Sequence, residues 1–179
     1  MSAAGPAGTL RIFYALWPDE ATRDALHAGQ AAWQWPGRAR LVPRDKLHLT
    51  LHFLGQVPLA QVDALVRAEP VDWRAFECRV DRAGRWGGVA WLAPTQAPEA
   101  LVRLHEALAG QLVRMGLSYD RRAYAPHVTL AREAFGARPP PHPDPVCWAV
   151  EEYALVVSRP GPHGGRYEVL RRRPAGSYS

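Results

Sequence analysis

The stretch Leu47–Leu54 has the sequence LHLTLHFL, in which apolar and polar residues alternate. A period of two is typical of a β-strand with one buried face, because successive side chains of a strand point to opposite sides of the sheet. The sequence therefore predicts a strand here, closed by Gly55. Its polar face would consist of His48, Thr50 and His52, and its core-directed face of Leu49, Leu51 and Phe53.

A second copy of the signature His-x-Thr-Leu occurs at His127–Leu130, at the start of a predicted strand Val128–Arg132. His127 and Thr129 are expected on one face of this strand, with apolar neighbours on the other. The two signatures lie 79 residues apart and share the same face pattern. The repeat predicts two similar halves of the chain that face each other across a cleft, with one signature on each wall.

Two facing pairs of histidine and threonine provide what cleavage of a phosphodiester requires. One imidazole can take a proton from the attacking water, while the other, protonated, donates a proton to the departing oxygen. Histidine suits both roles because its unperturbed pKa is about 6.5. Each threonine hydroxyl can donate a hydrogen bond to a non-bridging phosphoryl oxygen. The pattern predicts a phosphodiesterase that needs no metal ion and no cofactor.

A zinc site shared by His48 and His52 is the alternative for the first signature. On a helix, two histidines four residues apart lie side by side, as in the HExxH motif. On a strand the same spacing separates them by about 13 Å, which is too far for one metal ion. Leu49 also stands where HExxH has its glutamate. Both observations argue against zinc.

Strands and helices are mixed along the rest of the chain, which predicts an α+β fold with largely antiparallel sheets. A Pro-rich surface loop is predicted at Gly136–Pro145. Glycines 84, 87 and 88 suggest a hairpin. The other predicted strands are Leu10–Leu16, Phe76–Val80, Val89–Leu92, Val146–Val157 and Arg166–Leu170, and the predicted helices run from Pro18 to about Trp33, from Leu59 to Arg67 and from Pro98 to Met115.

The composition is that of a globular protein. The chain has 179 residues, of which 47% are hydrophobic and 22% are charged. This length and composition suit one domain over residues 1–179, with flexible tails expected at 1–9 and 174–179. A net charge of +5 favours an anionic partner. Cys78 and Cys147 form no CxxC motif, which disfavours a disulfide framework. No run of 18 apolar residues and no leader pattern occurs, so we expect a cytoplasmic protein without membrane association.

An ordered set of landmarks resembles the 2H phosphoesterase superfamily, specifically the bacterial RNA 2′,3′-cyclic phosphodiesterases of the LigT type, also called 2′-5′ RNA ligases. The resemblance covers most of the chain. The landmarks are Arg11–Leu16 with Pro18, Val42–Gly55, Val89–Leu92, Tyr124–Arg132, Ser158–Pro162 and Tyr167–Leu170.

This resemblance implies one bilobal domain, with two pseudo-symmetric lobes of mainly antiparallel sheet and outer helices around a central cleft. It implies hydrolysis of RNA 2′,3′-cyclic phosphate ends to 2′-phosphates, with reversible, ATP-independent 2′-5′ joining of RNA. We expect the protein to be a monomer. His48 matches the proton donor to the leaving 3′ oxygen, and His127 the proton acceptor that activates water. Thr50, Thr129 and Arg132 match phosphate-binding residues, although strict strand alternation would place Arg132 opposite His127.

Two other functions stay open at this point. A related enzyme could act on a small nucleotide or on an ADP-ribose cyclic phosphate, and the sequence does not separate these substrates from RNA. A nucleotide- or RNA-binding module without turnover belongs to a different class. The presence of both complete signatures argues against it, because binding alone would tolerate the loss of one histidine.

Several other conspicuous residues are expected outside the chemistry. His52 is predicted to line the cleft without catalysing and His105 to be packed. Phe53 is predicted to be core, with stacking of a base as the alternative. The histidines at 27, 142 and 163 are predicted to take no part in catalysis. Aromatic residues that could either stack a base or belong to the core are Trp17, Trp86 and Trp91, Tyr167 could line the cleft or cap the sheet, and Arg171–Arg173 could be a solvated strand end or contact RNA.

Overall fold

Every strand pairing in the part of the chain that the structure describes, residues 8–162 and 165–176, is antiparallel. The structure is a computed structural model. Its strands are β1 Thr9–Leu16, β2 Arg40–Leu41, β3 Leu49–Pro58, β4 Phe76–Val80, β5 Arg82–Trp86, β6 Val89–Ala93, β7 Val128–Arg132, β8 Val146–Val150, β9 Glu152–Arg159 and β10 Arg166–Pro174. Its helices are α1 Glu20–Ala31, α2 Leu59–Arg67 and α3 Glu99–Arg114. The predicted α+β class is confirmed.

The strands form one large sheet and one strand pair. The order in the large sheet is β10-β9-β1-β3-β7-β6-β5, with β2 paired to the end of β7, and β4 pairs with β8. The main core lies between the sheet and the three helices, whereas a smaller cluster around Phe13 and Val156 lies on the opposite, helix-free face. None of the helices described is long and apolar enough to cross a membrane.

The internal repeat predicted from the signatures is visible in the topology. In the first half, β1 is followed by α1 and then by β3, which pairs with β1. In the second half, β6 is followed by α3 and then by β7, which pairs with β6. The two signature strands meet where Leu49 pairs with Val128. These residues occupy the same place in the two signatures, so an approximate two-fold relation passes between them.

Some element boundaries differ from the prediction. The strand predicted to end at Gly55 continues to Pro58, and the strand predicted over Val146–Val157 is interrupted at Glu151. The interruption arises because β8 pairs with β4 whereas β9 joins the large sheet. Helix α1 ends at Ala31, two residues early. Thr9 and Pro174 lie in strands, and residues 1–7, 177–179 and His163 lie outside the described residues.

A β-bulge in β3 makes the face assignment beyond Leu51 wrong. Ala15 pairs with Thr50 and the preceding Tyr14 pairs with His52, so Leu51 is an extra residue that inverts the alternation. His52 is therefore turned into the core, with 2% of its surface exposed, and does not line the cleft. Phe53, which was predicted to be core, lies instead on the helix-free face beside Phe13.

Candidate active site

The two signatures meet on the helix-free face of the sheet. Because Leu49 and Val128 pair in an antiparallel sense, continuing the register by one residue places His48 opposite Thr129 and Thr50 opposite His127. Leu49 and Val128 themselves are fully buried on the core side. Their neighbours in each strand therefore point the other way, and all four polar side chains of the signatures gather on one surface.

Each histidine is held by the carbonyl two residues before it. His48 Nδ1 lies 2.7 Å from the carbonyl oxygen of Lys46, and His127 Nδ1 lies 2.8 Å from that of Ala125. A carbonyl oxygen only accepts, so Nδ1 must be the protonated nitrogen in both rings. In the neutral form of each imidazole, Nε2 therefore carries the free lone pair. The two halves of the chain thus present the same nitrogen for proton transfer.

His48 stands in an aromatic environment. Its ring stacks on Trp17 at a centroid distance of 5.6 Å and contacts Phe13 and Tyr167 at 5.0 and 5.5 Å. This burial is the main cause that lowers the pKa of His48 to about 4, and positive charge from Arg23, His127 and Arg132 adds to it. Nε2 lies 3.0 Å from Thr50 Oγ1, which donates to it when the imidazole is neutral. Tyr167 and Trp17 therefore lie beside His48 on the helix-free face.

His127 is more open to solvent on one side. The ring of Trp86 contacts it edge to face at 4.8 Å, and Trp86 also packs on Trp91 at 4.8 Å. Burial lowers the pKa of His127, and the positive charge of Arg132 lowers it further. Trp91 pairs directly with Thr129 and is 6% exposed. Trp86 is thus exposed beside His127, whereas Trp91 is buried beneath Trp86.

A second β-bulge brings Arg132 to the candidate site. Ala90 pairs with Ala131 and Trp91 pairs with Thr129, so Leu130 is an extra residue of β7. The inversion returns the side chain of Arg132 to the face of His127, contrary to strict alternation. Its positive charge lowers the pKa of both signature histidines. Within the described residues Arg132 is exposed and has no carboxylate partner, so its charge is available to an anion.

Two buried polar residues of α1 support the signatures, and the sequence analysis missed both. Arg23, 4% exposed, donates to the carbonyls of Leu47 and Arg44 at 3.2 Å and thereby fixes the segment that leads into β3. Gln30 donates to the carbonyl of Leu130 at 2.8 Å. Their burial could have been inferred from the helical spacing, because Arg23, Leu26 and Gln30 lie on one stripe of α1.

Tyr124 connects the two signatures on the core side of the sheet. Its hydroxyl donates to the carbonyl of Thr50 at 3.3 Å, and the next residue, Ala125, holds His127. The ring of Tyr124 stacks on His105 at 3.7 Å, and His105 stacks on His52 at 4.0 Å. His52 Nε2 donates to the carbonyl of His105 at 2.7 Å. His52 and His105 are thus a packed pair on the core side.

The remaining charged candidates lie elsewhere. His27 and His142 are exposed and outside the site, whereas Arg173 is buried and donates to the carbonyls of Val66 and Ala68 at the end of α2. The prediction of a solvated strand end is therefore wrong for Arg173.

A cavity of about 420 Å³ lies at the start of α3 and touches no signature residue. Its lining residues are Asp72, Trp73, Arg74, Glu99, Ala100, Arg103 and Leu104.

The fold and the site together define a class of protein. Two His-x-Thr strands lie side by side in an antiparallel sheet, related by an approximate two-fold axis, with helices on the opposite face. The signature histidines present equivalent nitrogens to one surface, which also carries the guanidinium of Arg132. This is the architecture of the two-histidine (2H) phosphoesterases.

Comparison with known proteins identifies the family within this class. A family model described as the 2′-5′ RNA ligase superfamily matches residues 20–159. The RNA 2′,3′-cyclic phosphodiesterase of Escherichia coli (strain K12) is 34% identical over 166 residues, which cover 90% of this chain and 94% of that protein. The RNA 2′,3′-cyclic phosphodiesterase of Thermus thermophilus is 35% identical over 182 residues, covering 91% of this chain and 89% of that protein.

Solved structures agree with this assignment. The crystal structure of E. coli LigT complexed with 3′-AMP matches with a TM-score of 0.84 and 32% sequence identity, covering 94% of this chain and 99% of that chain. The chain belongs to the 2′-5′ RNA ligase superfamily. The family resemblance drawn from the two signatures and their surrounding landmarks is confirmed.

Proposed function

We propose that this protein hydrolyses RNA 2′,3′-cyclic phosphate ends to 2′-phosphates by acid–base catalysis between His48 and His127, without a metal ion. The observation that carries the proposal is the matched tethering of both imidazoles, each through Nδ1 to a carbonyl two residues earlier. Both Nε2 atoms are thereby available for proton transfer on one surface. The E. coli and T. thermophilus relatives are named RNA 2′,3′-cyclic phosphodiesterases.

In the proposed mechanism the phosphate lies between the two signatures. His127 takes a proton from water, the water oxygen attacks phosphorus, and the P–O3′ bond breaks as protonated His48 donates to the 3′ oxygen. Thr50, Thr129 and Arg132 stabilise the negative charge on the phosphoryl oxygens. Reversible 2′-5′ joining uses the same residues, with a ribose 5′-hydroxyl group in place of the water.

Substrate binding must shift His48 towards the protonated form that the mechanism needs, with the proton taken from solvent. Burial holds the pKa of His48 at about 4, so the free imidazole is neutral at neutral pH. An anionic phosphate beside it favours the protonated form and raises that pKa again. The hydroxyl of Thr50, which contacts His48 Nε2 in the free protein, can then turn to a phosphoryl oxygen. Binding of the anion therefore prepares the general acid.

The proposal is tested with purified protein, EDTA and an RNA oligonucleotide that ends in a 2′,3′-cyclic phosphate. We expect a 2′-phosphate product. A 3′-phosphate product, or activity only after metal addition, would contradict the mechanism. The same assay with a nucleoside 2′,3′-cyclic phosphate measures preference for RNA over a small nucleotide. A much larger kcat/KM for the nucleoside would make a small molecule the substrate.

The two histidines are tested by His48→Ala and His127→Ala. Each variant should lose at least about 10²-fold in kcat, the usual effect of removing a general acid or base. His27→Ala is the matched control, because His27 is an exposed histidine on α1 outside the site. Near wild-type turnover by either signature variant would remove that histidine from the mechanism.

A further inference from the structure

Arg23 of α1 is a buried cation whose guanidinium bonds to three main-chain carbonyls. The residue is 4% exposed. Nη1 donates to the carbonyls of Leu47 and Arg44 at 3.2 Å, and Nη2 donates to the carbonyl of Pro18 at 3.2 Å. The carboxylate of Glu20 lies 3.8 Å from Nε, but it is exposed and contacts Arg44 at 2.7 Å. Because a buried charge is costly unless polar groups compensate it, the three carbonyls hold the guanidinium in place.

The bond to Leu47 orients the peptide group that leads into His48. The carbonyl one residue earlier, that of Lys46, holds His48 Nδ1 at 2.7 Å. The carbonyl of Leu47 belongs to the peptide bond with His48 and is held by Arg23. Two successive carbonyls therefore have separate tasks, since the first fixes the imidazole ring and the second fixes the backbone that carries it. The direction of His48 Nε2 depends on both.

The same guanidinium also holds the aromatic ring that lies on His48. Its Cζ atom is 5.3 Å from the ring centroid of Trp17, within the range of a cation–π interaction. The bond to Pro18 fixes the peptide group that directly follows Trp17. Trp17 in turn stacks on His48 at 5.6 Å, with 25° between the ring planes. Arg23 thus connects the backbone before His48 with the ring stacked on it.

The second half of the chain has a different residue at the equivalent place. The first residues of α1 and α3 lie 79 residues apart, as do the two signature histidines. The counterpart of Arg23 is therefore Val102, which is 37% exposed. His127 has the same tether through Nδ1 as His48. Arg23 is thus a feature in which the two otherwise matched halves differ.

The charges around the two imidazoles differ in the same way. Burial is the main cause that lowers the pKa of His48 to about 4, the carbonyl of Lys46 opposes it, and the positive charges of Arg23, His127 and Arg132 add to it. Burial also lowers the pKa of His127, where the added positive charge is that of Arg132. The charged groups that face Arg23 itself are Glu20, Arg44, Asp45 and Arg172.

We propose that Arg23 is a positioning residue for His48, which holds the peptide group before this histidine and the Trp17 ring on it, and thereby makes the two signature histidines unlike. This inference rests on the proposed function, in which His48 is the general acid and His127 the general base. Because its guanidinium is buried and bonded to three carbonyls, Arg23 acts through His48. Its loss should therefore lower kcat more than it changes KM.

The test compares Arg23→Met, which removes the charge and the donors, with Arg173→Met. Arg173 is the matched control, because it is 9% exposed and donates to the carbonyls of Val66 and Ala68 at the end of α2. The first readout is kcat and KM for an RNA 2′,3′-cyclic phosphate. The second is the two-bond ¹H–¹⁵N NMR spectrum of the histidine rings as a function of pH, which reports the tautomer and the pKa of each ring.

We expect Arg23→Met to lower kcat by roughly tenfold or more with little change in KM, because even a small misplacement of a catalytic group slows the reaction. His48 should show a mixture of tautomers, and its pKa should rise because a positive charge has been removed. The signals of His127 should stay as in wild type. Arg173→Met should leave kcat and the signals of both histidines unchanged, whatever its stability. The spectra of His48→Ala and His127→Ala assign the signals.

Arg23→Lys separates the charge from the hydrogen bonds. Lysine keeps the positive charge, so the pKa of His48 should stay low. Its ammonium group lacks the planar fork with which the guanidinium spans the carbonyls of Leu47 and Pro18. The kcat of Arg23→Lys should therefore lie between those of wild type and Arg23→Met. If Arg23→Met does not fold, a wild-type kcat in Arg23→Lys would overturn the assignment.

Unchanged His48 signals in Arg23→Met would overturn the assignment, as would equal changes at His48 and His127, which would indicate a general loss of structure. An equal fall of kcat in Arg173→Met would do the same. The spectra need no substrate, so they test the role of Arg23 independently of turnover. A wild-type protein that does not hydrolyse the cyclic phosphate would instead refute the proposed function.

Discussion

At the scale of single residues, the two signature histidines are tethered alike but surrounded differently. His48 is enclosed by Phe13, Trp17 and Tyr167, whereas His127 contacts Trp86 at the edge of the sheet. Burial lowers the pKa of both, to about 4 for His48. Because the neutral form is favoured in each ring, the proposed mechanism requires the bound phosphate to favour protonation of the general acid at neutral pH.

The lowered pKa values of the free protein predict different pH profiles for kcat/KM and for kcat. The profile of kcat/KM reports the free protein, in which both histidine pKa values lie below 6.5, so its optimum should fall below pH 6.5. The profile of kcat reports the complex, in which the phosphate raises both values, so it should lie at higher pH. Steady-state kinetics from about pH 4 to 9 measure both.

Arg132→Gln provides a control for this explanation. The positive charge of Arg132 lowers the pKa of His48 and His127, so its removal should move the kcat/KM profile to higher pH while lowering activity. Superimposable kcat and kcat/KM profiles in the wild-type protein would contradict the assignment of the acid to substrate-induced protonation.

At the scale of elements, the two signature strands share a β-bulge at the same place. The extra residues are Leu51 in β3 and Leu130 in β7, which occupy equivalent positions in the two signatures. Each bulge inverts the alternation after the His-x-Thr-Leu segment. As a result Phe53 and Arg132 occupy equivalent places on the helix-free face, one in each half. The repeat therefore extends beyond the signatures to the irregularities of the strands.

A second irregularity of β3 lies at Gly55. This residue pairs with Ile12 at a register shift and has a φ of 73°, a left-handed conformation that costs other residues free energy. We predict that Gly55→Ala lowers the free energy of unfolding by roughly 1–2 kcal/mol, the usual cost of that conformation for a residue with a Cβ atom. Urea denaturation followed by circular dichroism measures the change.

Gly110→Ala is the matched control, with the opposite expected sign. Gly110 lies inside α3, and a Cβ atom there would meet only the end of the Arg114 side chain, at 3.3 Å. Alanine is favoured over glycine in a helix interior by roughly 0.5–1 kcal/mol, so this variant should be more stable than wild type. If Gly55→Ala were as stable as wild type, the bulge would not depend on the glycine.

At the scale of the whole molecule, a pair of stacked histidines, of which His52 is buried and His105 half-buried, links α3 to the sheet. His52 of β3, His105 of α3 and Tyr124 form one stack, with ring distances of 4.0 and 3.7 Å. Burial lowers the pKa of both histidines, to about 4 for His105. His52 Nδ1 has no hydrogen-bond partner among the described residues, so a proton there would add a buried, uncompensated charge.

The stack predicts that stability decreases with acidification before the carboxylates titrate. In the unfolded chain these histidines bind protons below pH about 6.5, whereas in the folded protein they stay neutral to lower pH. The unfolded state therefore binds more protons between these values, and stability is lost as pH falls from about 6.5 towards 4. Urea unfolding at pH about 7.5 and about 5 should show this loss.

His105→Phe tests whether the stack is responsible. Phenylalanine preserves ring packing between His52 and Tyr124 and cannot be protonated. The variant should lose less stability than wild type between the same two pH values. An equal loss in both proteins would assign the pH dependence to other groups.

The sequence by itself determined much of this protein. Alternation in Leu47–Leu54 and the second signature at His127–Leu130 placed both signature strands, and their repetition predicted the two related halves. These features are local, since residues a few positions apart specify strand type and apolar face. The candidate histidines and threonines follow from the same pattern, and the structure brings them to one surface.

Only the tertiary structure decided which residues after each signature face that surface. The bulges at Leu51 and Leu130 turn His52 inward and Phe53 and Arg132 outward. A bulge depends on the register of the neighbouring strand, which alternation within one strand does not contain. The helical spacing of Arg23 and Gln30 marks them as lying on the buried stripe, but their carbonyl partners were decided by the tertiary structure, because those partners lie in segments distant along the chain. Local pattern thus specified the candidate catalytic residues, and strand pairing specified their surroundings.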